Sequence, residues 1–239
     1  MADFFEAFGK GKKAFLPVIH VVDSPTAVEN TRVAEAEGAD GVFLINHSMT
    51  AQRLWPIYEE VRDNYPDFWI GVNCLDLSPI KVFREAPIGI DGVWVDNAGT
   101  AVAMATFEPL EDITLARVHR GLFNETLYFG GVGMKHQPEI PDDLLGLVAH
   151  LSSGWVDIVT TSGPATGVSA PIKKIEKMKM GIGLLPLALC SGVSAENVEE
   201  YLPYVNAFLV ASSISVHDQS GVDMLVPDKV RALAEKIHR

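Results

Sequence analysis

The stretch GADGVFL, Gly38–Leu44, returns almost unchanged as GIDGVWV, Gly89–Val95, and this pair decides how the chain is read. Each copy places Gly, Asp and Gly in front of a short run of large apolar residues. That is turn chemistry leading into a buried strand. A looser third copy, GWVDIV, spans Gly154–Val159. Asp40, Asp91 and Asp157 are therefore read as turn or capping residues, not catalysts. They mark the end of the molecule where helices hand over to strands.

Outward from these copies, short apolar runs recur along the chain. The predicted strands are Leu16–Val22, Gly41–Asn46, Trp69–Leu75, Gly92–Asp96, Thr126–Gly131, Val156–Thr161, Leu184–Cys190 and Ala207–Ser212. They are rich in Val, Ile and Leu without clean alternation, as parallel strands buried on both faces require. Helical patterns lie between them. Pro25–Gly38 starts on Ser24-Pro25 and closes on glycine, Ser194–Leu202 opens with a Ser-x-x-Asn capping pattern, and Asp228–Ile237 is amphipathic. Alternating β and α means a parallel sheet covered by helices. Eight such units predict closure into a (β/α)8 TIM barrel, a parallel closed sheet forming one domain over residues 1–239. Ala98–Asn124 is too long for a simple βα connection and is predicted to hold an extra helix or a lid.

The 239 residues suit one such barrel, and 48% hydrophobic against 21% charged residues is globular composition. A formal net charge of -12 repels phosphate backbones and anionic membrane surfaces, which argues against nucleic acid as a partner. Local amides and cations can still hold a small anion against that field. Cys74 and Cys190 each lie inside an apolar run, so neither a disulfide framework nor a zinc site is expected. Met1–Lys13 lacks the apolar core of a signal peptide, and no segment reaches the roughly 20 apolar residues of a membrane span. The expected location is cytoplasmic, without membrane insertion. Apolar positions such as Leu144, Leu145 and Leu147 leave room for a homo-oligomer.

In barrels of this class, function sits where the strands end. Those ends carry His20 and Asp23, Asn46 and His47, Asn73 and Asp76, and Asp96 and Asn97. After the later strands come Lys135 and His136, Thr160–Gly167, Ser191–Ser194, and Ser212–Ser213. Packing alone does not call for so many polar side chains at one end. TTSGPATG, Thr160–Gly167, offers hydroxyls and glycines. CSGVSAENV offers Ser191-Gly192 followed by a helix start at Ser194. Both fit anion cradles, and both also fit ordinary Gly/Ser turns. Lys135, in GVGMKHQPE, is read as a charge for a ligand anion, a base, a Schiff-base nucleophile or a solvated surface lysine. His20 is either catalytic or a satisfied core histidine. Asp76 and Asp96 close adjacent strands and form a candidate acid–base pair, with no spacing that specifies a metal site. No dinucleotide, P-loop, nucleophile-elbow or zinc-protease motif occurs, and no cofactor is expected.

Several of these pieces together resemble the BtpA family of ribulose-phosphate-binding-like barrels. They are GVN ending at Asn73, KHQP at Lys135 and His136, SGPATG ending at Gly167, and SGVSAENVEEYL from Ser191. The similarity runs from VIH near the start to the terminal helix. The chain departs from the family pattern at VVDSPT after the first strand, at Ile45, at LDLSP after the third and at ASSIS after the eighth, where a family lysine is missing. The resemblance implies a phosphorylated sugar or nucleotide ligand, or a role in photosystem assembly.

The residues taken together predict an enzyme acting on a small phosphorylated metabolite, by isomerase, lyase or glycosyl-transfer chemistry. Lys135, Asp76, Asp96 and His20 are the candidate catalytic residues. Asn46, Asn73, Gly163, Thr166, Gly167, Ser191, Gly192, Ser212 and Ser213 are the candidate ligand and phosphate contacts. The alternative is a non-enzymatic assembly factor or ligand sensor on the same barrel.

Overall fold

The computed structural model describes residues 3–99, 125–218 and 221–239. Eight parallel strands close into a barrel in sequence order, with β1 pairing both β2 and β8. They are β1 (Ala14–His20), β2 (Gly41–Ile45), β3 (Trp69–Asn73), β4 (Gly92–Val95), β5 (Leu127–Gly131), β6 (Ile158–Ser162), β7 (Leu187–Cys190) and β8 (Ala207–Val210). The helices are α1 (Phe4–Phe8), α2 (Ser24–Ala36), α3 (Ala51–Asn64), α4 (Pro79–Glu85), α5 (Leu145–Ser153), α6 (Ile172–Ile182), α7 (Val198–Tyr201) and α8 (Pro227–Ile237). The (β/α)8 barrel read from the repeats is the fold observed. The extra helix or lid expected within Ala98–Asn124 falls on residues 100–124, outside the described residues.

The repeated aspartates act at the bottom of the barrel. Asp40, just before β2, accepts the Phe15 N–H of β1 through Oδ2 at 2.8 Å, and its own N–H donates to the Phe15 carbonyl. Asp91 does the same with Ile70 of β3 at 2.7 Å, and Asp157 with Tyr128 of β5 at 2.9 Å. Asn206 completes the set on Leu187 of β7 at 3.2 Å. One polar side chain thus clamps each odd strand to the even strand after it, and satisfies a backbone donor that would otherwise be orphaned. Asp91 also pairs with Arg62 of α3.

Two apolar layers hold the barrel. One lies between strands and helices. The other fills the barrel interior with Leu16, Phe43, Trp94, Leu127, Phe129, Ile158 and neighbours. Phe43 meets Trp69, Trp94 and Phe129 edge to face, the arrangement that suits aromatic quadrupoles. The N-terminal segment supplies α1, whose Phe4 and Phe8 are buried in this interior layer, with Phe8 against Trp69. No periodicity in Met1–Lys13 announces this helix.

Element limits shift where local chemistry intervenes. β7 begins at Leu187 rather than Leu184, because Pro186 has no N–H for a ladder and Leu184 is 92% exposed. α2 is capped by Asp23, whose Oδ1 accepts the Thr26 N–H, one residue before the expected start. α7 is a single turn, so the helix expected over Ser194–Leu202 is largely a hydrogen-bonded turn. After β8 comes an antiparallel hairpin of β9 (Ser215–His217) and β10 (Asp223–Leu225), absent from the sequence reading. Among the described residues, no helix is long and apolar enough to cross a membrane. Of the leucines considered for an interface, Leu145 is buried, while Leu144 and Leu147 are 41% and 54% exposed.

Candidate functional site

A cavity of about 630 Å³ opens at the C-terminal ends of the strands. His20, Asp96, Lys135, Thr166, Gly167, Ser191, Gly192, Ser212 and Ser213, all singled out from the sequence, line it. Val18, Ile45, Trp94, Met134, Cys190 and Leu209 make an apolar floor. In a chain of net charge -12, Asp96 is the one carboxylate among the described lining residues, beside Lys135, His20, His47 and His136. With the histidines neutral, the lining carries one cation and one carboxylate, so the cavity lacks the acidic excess of the chain as a whole.

Four predicted residues stand behind that lining. Asn46 donates to Asp76 Oδ1 and accepts the Leu75 N–H, while Asp76 Oδ2 accepts the Ala51 N–H at 3.1 Å. Asp76 thus fastens the start of α3 to the β3 loop, and does not line the cavity as the expected acid–base partner of Asp96. Asn73, buried, donates from Nδ2 to Asp96 Oδ1 at 2.9 Å and fixes that carboxylate. Gly163 packs on its own loop: an added Cβ would lie 1.9 Å from the Val168 carbonyl oxygen. Gly192 faces the same oxygen, at 2.3 Å from an added Cβ. Gly163 thus lets the β6 loop fold on itself, and Gly192 lets the β7 loop close against it.

The β6 and β7 loops and Lys135 do converge. Lys135 donates its backbone N–H to Ser162 Oγ at 2.9 Å and its Nζ to Thr166 Oγ1 at 2.8 Å. Ser191 takes a left-handed backbone, φ 74°, as the chain turns out of β7, and its hydroxyl donates to the Ala165 carbonyl. Ser194 and Asn197 form half of a capping box, with Asn197 Oδ1 accepting the Ser194 N–H at 2.9 Å. Asn197 Nδ2 holds the Gly192 carbonyl at 2.8 Å. Among the described residues, the N–H groups of Gly192 and Val193 have no protein acceptor. The same is true of Ser212 and Ser213, whereas the Ser213 hydroxyl donates to the Val193 carbonyl at 2.6 Å. With α7 only one turn long, an anion here would be held by loop amides rather than by a helix dipole.

Residues that the sequence reading passed over organise this rim. Gln137, in the KHQP segment, accepts the Gly133 N–H and donates to the Asp96 and Gly131 carbonyls, tying the β4 and β5 exits together. Lys174 of α6 donates to the Gly133 and Ser162 carbonyls from beneath, and burial lowers its pKa. Asp223 of β10 accepts from His20 Nδ1 at 2.6 Å. His47 stacks edge to face on His20, with ring centroids 4.5 Å apart. Partial burial lowers the His47 pKa, and the charges of His20 and Lys135 act in the same direction. His47 was visible at a strand end, whereas Asp223 lies 203 residues from His20 and carries no local signal.

No protein-family profile matches this chain, and no curated protein does. Solved structures do. Phosphoribosyl anthranilate isomerase from Thermus thermophilus aligns with a TM-score of 0.62 at 17% identity, over 94% of this chain and 98% of that one. The (S)-3-O-geranylgeranylglyceryl phosphate synthase from Thermoplasma acidophilum, in complex with sn-glycerol-1-phosphate, aligns with a TM-score of 0.69 at 11% identity, over 100% and 99%. Thiamine phosphate pyrophosphorylase from Pyrococcus furiosus gives 0.61 at 15% identity, over 94% and 95%. At these identities the likeness establishes the shared barrel.

Proposed function

We propose that this chain is an enzyme acting on a small phosphorylated metabolite, a sugar phosphate or phosphoribosyl compound, in a BtpA-like barrel. The observation that carries the reading is one cavity lined by both kinds of machinery. On one side are the loop amides of Gly192, Val193, Ser212 and Ser213, with Lys135 and Thr166. Proton-transfer groups line the same space: Asp96, held by Asn73, and His20. The names of these three aligned barrels concern phosphorylated compounds and support the same substrate class. The phosphate would sit on the loop amides, with Lys135 supplying charge from a partly exposed position that suits an ion pair better than a Schiff base. Asp96 and His20 would exchange protons with the sugar or base portion. An assembly factor without a ligand would have no use for an open cavity of this size with Lys135, Asp96 and His20 on its wall.

The test is a thermal-shift series with sugar phosphates and nucleotides, followed by titration of Lys135→Met with whichever compound binds. A true ligand at a hundredfold excess over its Kd adds about 2.7 kcal/mol of apparent stability. Losing the charge-assisted bond from Lys135 is expected to weaken binding by about 1.5–3 kcal/mol, some ten- to hundredfold. Equal affinities would remove Lys135 from the site. No shift with any phosphorylated compound would count against the substrate class.

A further inference from the structure

His20 closes β1 at the cavity wall, and its Nδ1 lies 2.6 Å from Asp223 Oδ2. The carboxylate comes from β10, in the hairpin that follows the eighth barrel strand. That hairpin is docked by a buried side chain. Asn30 of α2, 1% exposed, donates from Nδ2 to the Asp223 carbonyl at 3.0 Å and accepts the Leu225 N–H at 2.8 Å. The two bonds hold the backbone on either side of Met224, beginning at the Asp223 carbonyl, so the place of Asp223 against β1 is set by the packing of α2. The second carboxylate oxygen, Oδ1, takes His217 Nδ1 at 2.9 Å. An ionised carboxylate only accepts hydrogen bonds, so the His20 Nδ1 facing it carries the proton. In its neutral form such a ring presents a lone pair at Nε2, and among the described residues Nε2 has no protein partner.

We propose that Asp223 is the positioning residue of an Asp223–His20 dyad, delivered by the β9–β10 hairpin, in which His20 Nε2 is the proton-transfer atom of the cavity. The inference rests on the reading of the cavity as an active site. Nε2 takes a proton from the bound molecule, whose bonding pair stays on the atom that loses it. The imidazolium keeps its Nδ1–H on Asp223, and the proton returns from Nε2 later in the cycle. A fixed carboxylate behind an imidazole sets its tautomer and stabilises the imidazolium. His47, edge-on to His20, limits the ring's rotation from the other side. The dyad would be a proton-transfer centre separate from Asp96, built from the chain's two ends.

Two measurements on the full-length chain test this. Nitrogen-15 NMR at alkaline pH, with His20→Gln to assign the ring, reads the tautomer directly. The expected result is Nδ1–H, and Nε2–H in the wild type would overturn the proposal even if no Asp223 variant folds. Diethyl pyrocarbonate labelling, mapped by mass spectrometry, then reads the nucleophilicity of Nε2. Asp223→Asn keeps an acceptor for Nδ1–H and the backbone bonds to Asn30, but removes the charge. A dyad predicts that His20 labelling slows several-fold in Asp223→Asn, with the melting temperature maintained and the rate restored by Asp223→Glu. If Asp223 were only a strut for the hairpin, the wild type and Asp223→Asn would label at the same rate, which overturns the dyad. Inorganic phosphate titrated into the wild type separates this inference from the ligand reading. Phosphate binding with an unreactive His20 sinks the dyad alone, whereas a reactive His20 without phosphate binding retains the dyad and sinks the phosphorylated substrate.

Discussion

Asp157 shows what a single polar residue contributes at the bottom of the barrel. Its Oδ2 is the acceptor of the Tyr128 N–H, so Asp157→Ala orphans a donor at a strand start. The expected cost is about 1–3 kcal/mol, read as a lower urea midpoint at unchanged slope. An unchanged midpoint would mean that the clamp is decorative. The two thiols give a second prediction. Burial pushes the Cys74 and Cys190 pKa values up, so the reactive thiolate is scarce in the folded chain. Ellman's reagent should find almost no thiol in the native protein at mildly alkaline pH and both in guanidinium chloride. His47 gives a third. Burial, then the charges of His20 and Lys135, lower its folded pKa below the ordinary 6.5. The unfolded chain therefore takes up that proton first, and stability declines as pH falls through about 6.5. His47→Gln should flatten that part of the pH profile, and an unaltered profile would assign the slope to other groups. The sequence disclosed the roles of Asp40, Asp91 and Asp157 because turn chemistry is local and repeated. Asn206 escaped because YVNAF shares the position but neither the glycines nor the aspartate.

At the scale of elements, the strands were legible and the partners of the site were not. Apolar runs bounded by turns located all eight barrel strands, and errors arose where a proline or a cap shifted a limit. The β9–β10 hairpin escaped because three-residue strands leave no periodicity, and its docking on Asn30 is a contact across the chain. Asp76 was misplaced for a related reason. A carboxylate just beyond a strand end can face the cavity or turn back onto the next helix, and only the Ala51 and Asn46 bonds decide it. The crossing of α5 and α6 yields a prediction of its own. Gly181 lies so close to Gly146 that an added Cβ would stand 2.0 Å from the Gly146 carbonyl oxygen. In an isolated helix Gly→Ala gains up to about 1 kcal/mol from propensity. Here overpacking, typically about 1–3 kcal/mol, outweighs it, and Gly181→Ala should lower the melting temperature. A higher melting temperature would show that the helices can part at no cost.

For the whole molecule, composition and alternation fixed the architecture, since a chain of this size with eight β/α units has few other ways to bury its strands. The expected homo-oligomer has a surface to draw on: Leu144 at the N-cap of α5, and Leu147 and Leu151 within it, lie three and four residues apart and are all more than 40% exposed. Light scattering should give a mass above the 26.0 kDa of one chain, and a monomer at micromolar concentration would contradict it. Net charge says nothing of the cavity, where Lys135 and Asp96 are the formal charges of the described lining. The central claim, an anion held at the β7 and β8 exits, is tested most directly by amide NMR of the wild type titrated with inorganic phosphate. The account predicts saturable shifts centred on the N–H groups of Gly192, Val193, Ser212 and Ser213, extending to Lys135 and Thr166. Shifts scattered over the outer helices, or none at these amides, would contradict it.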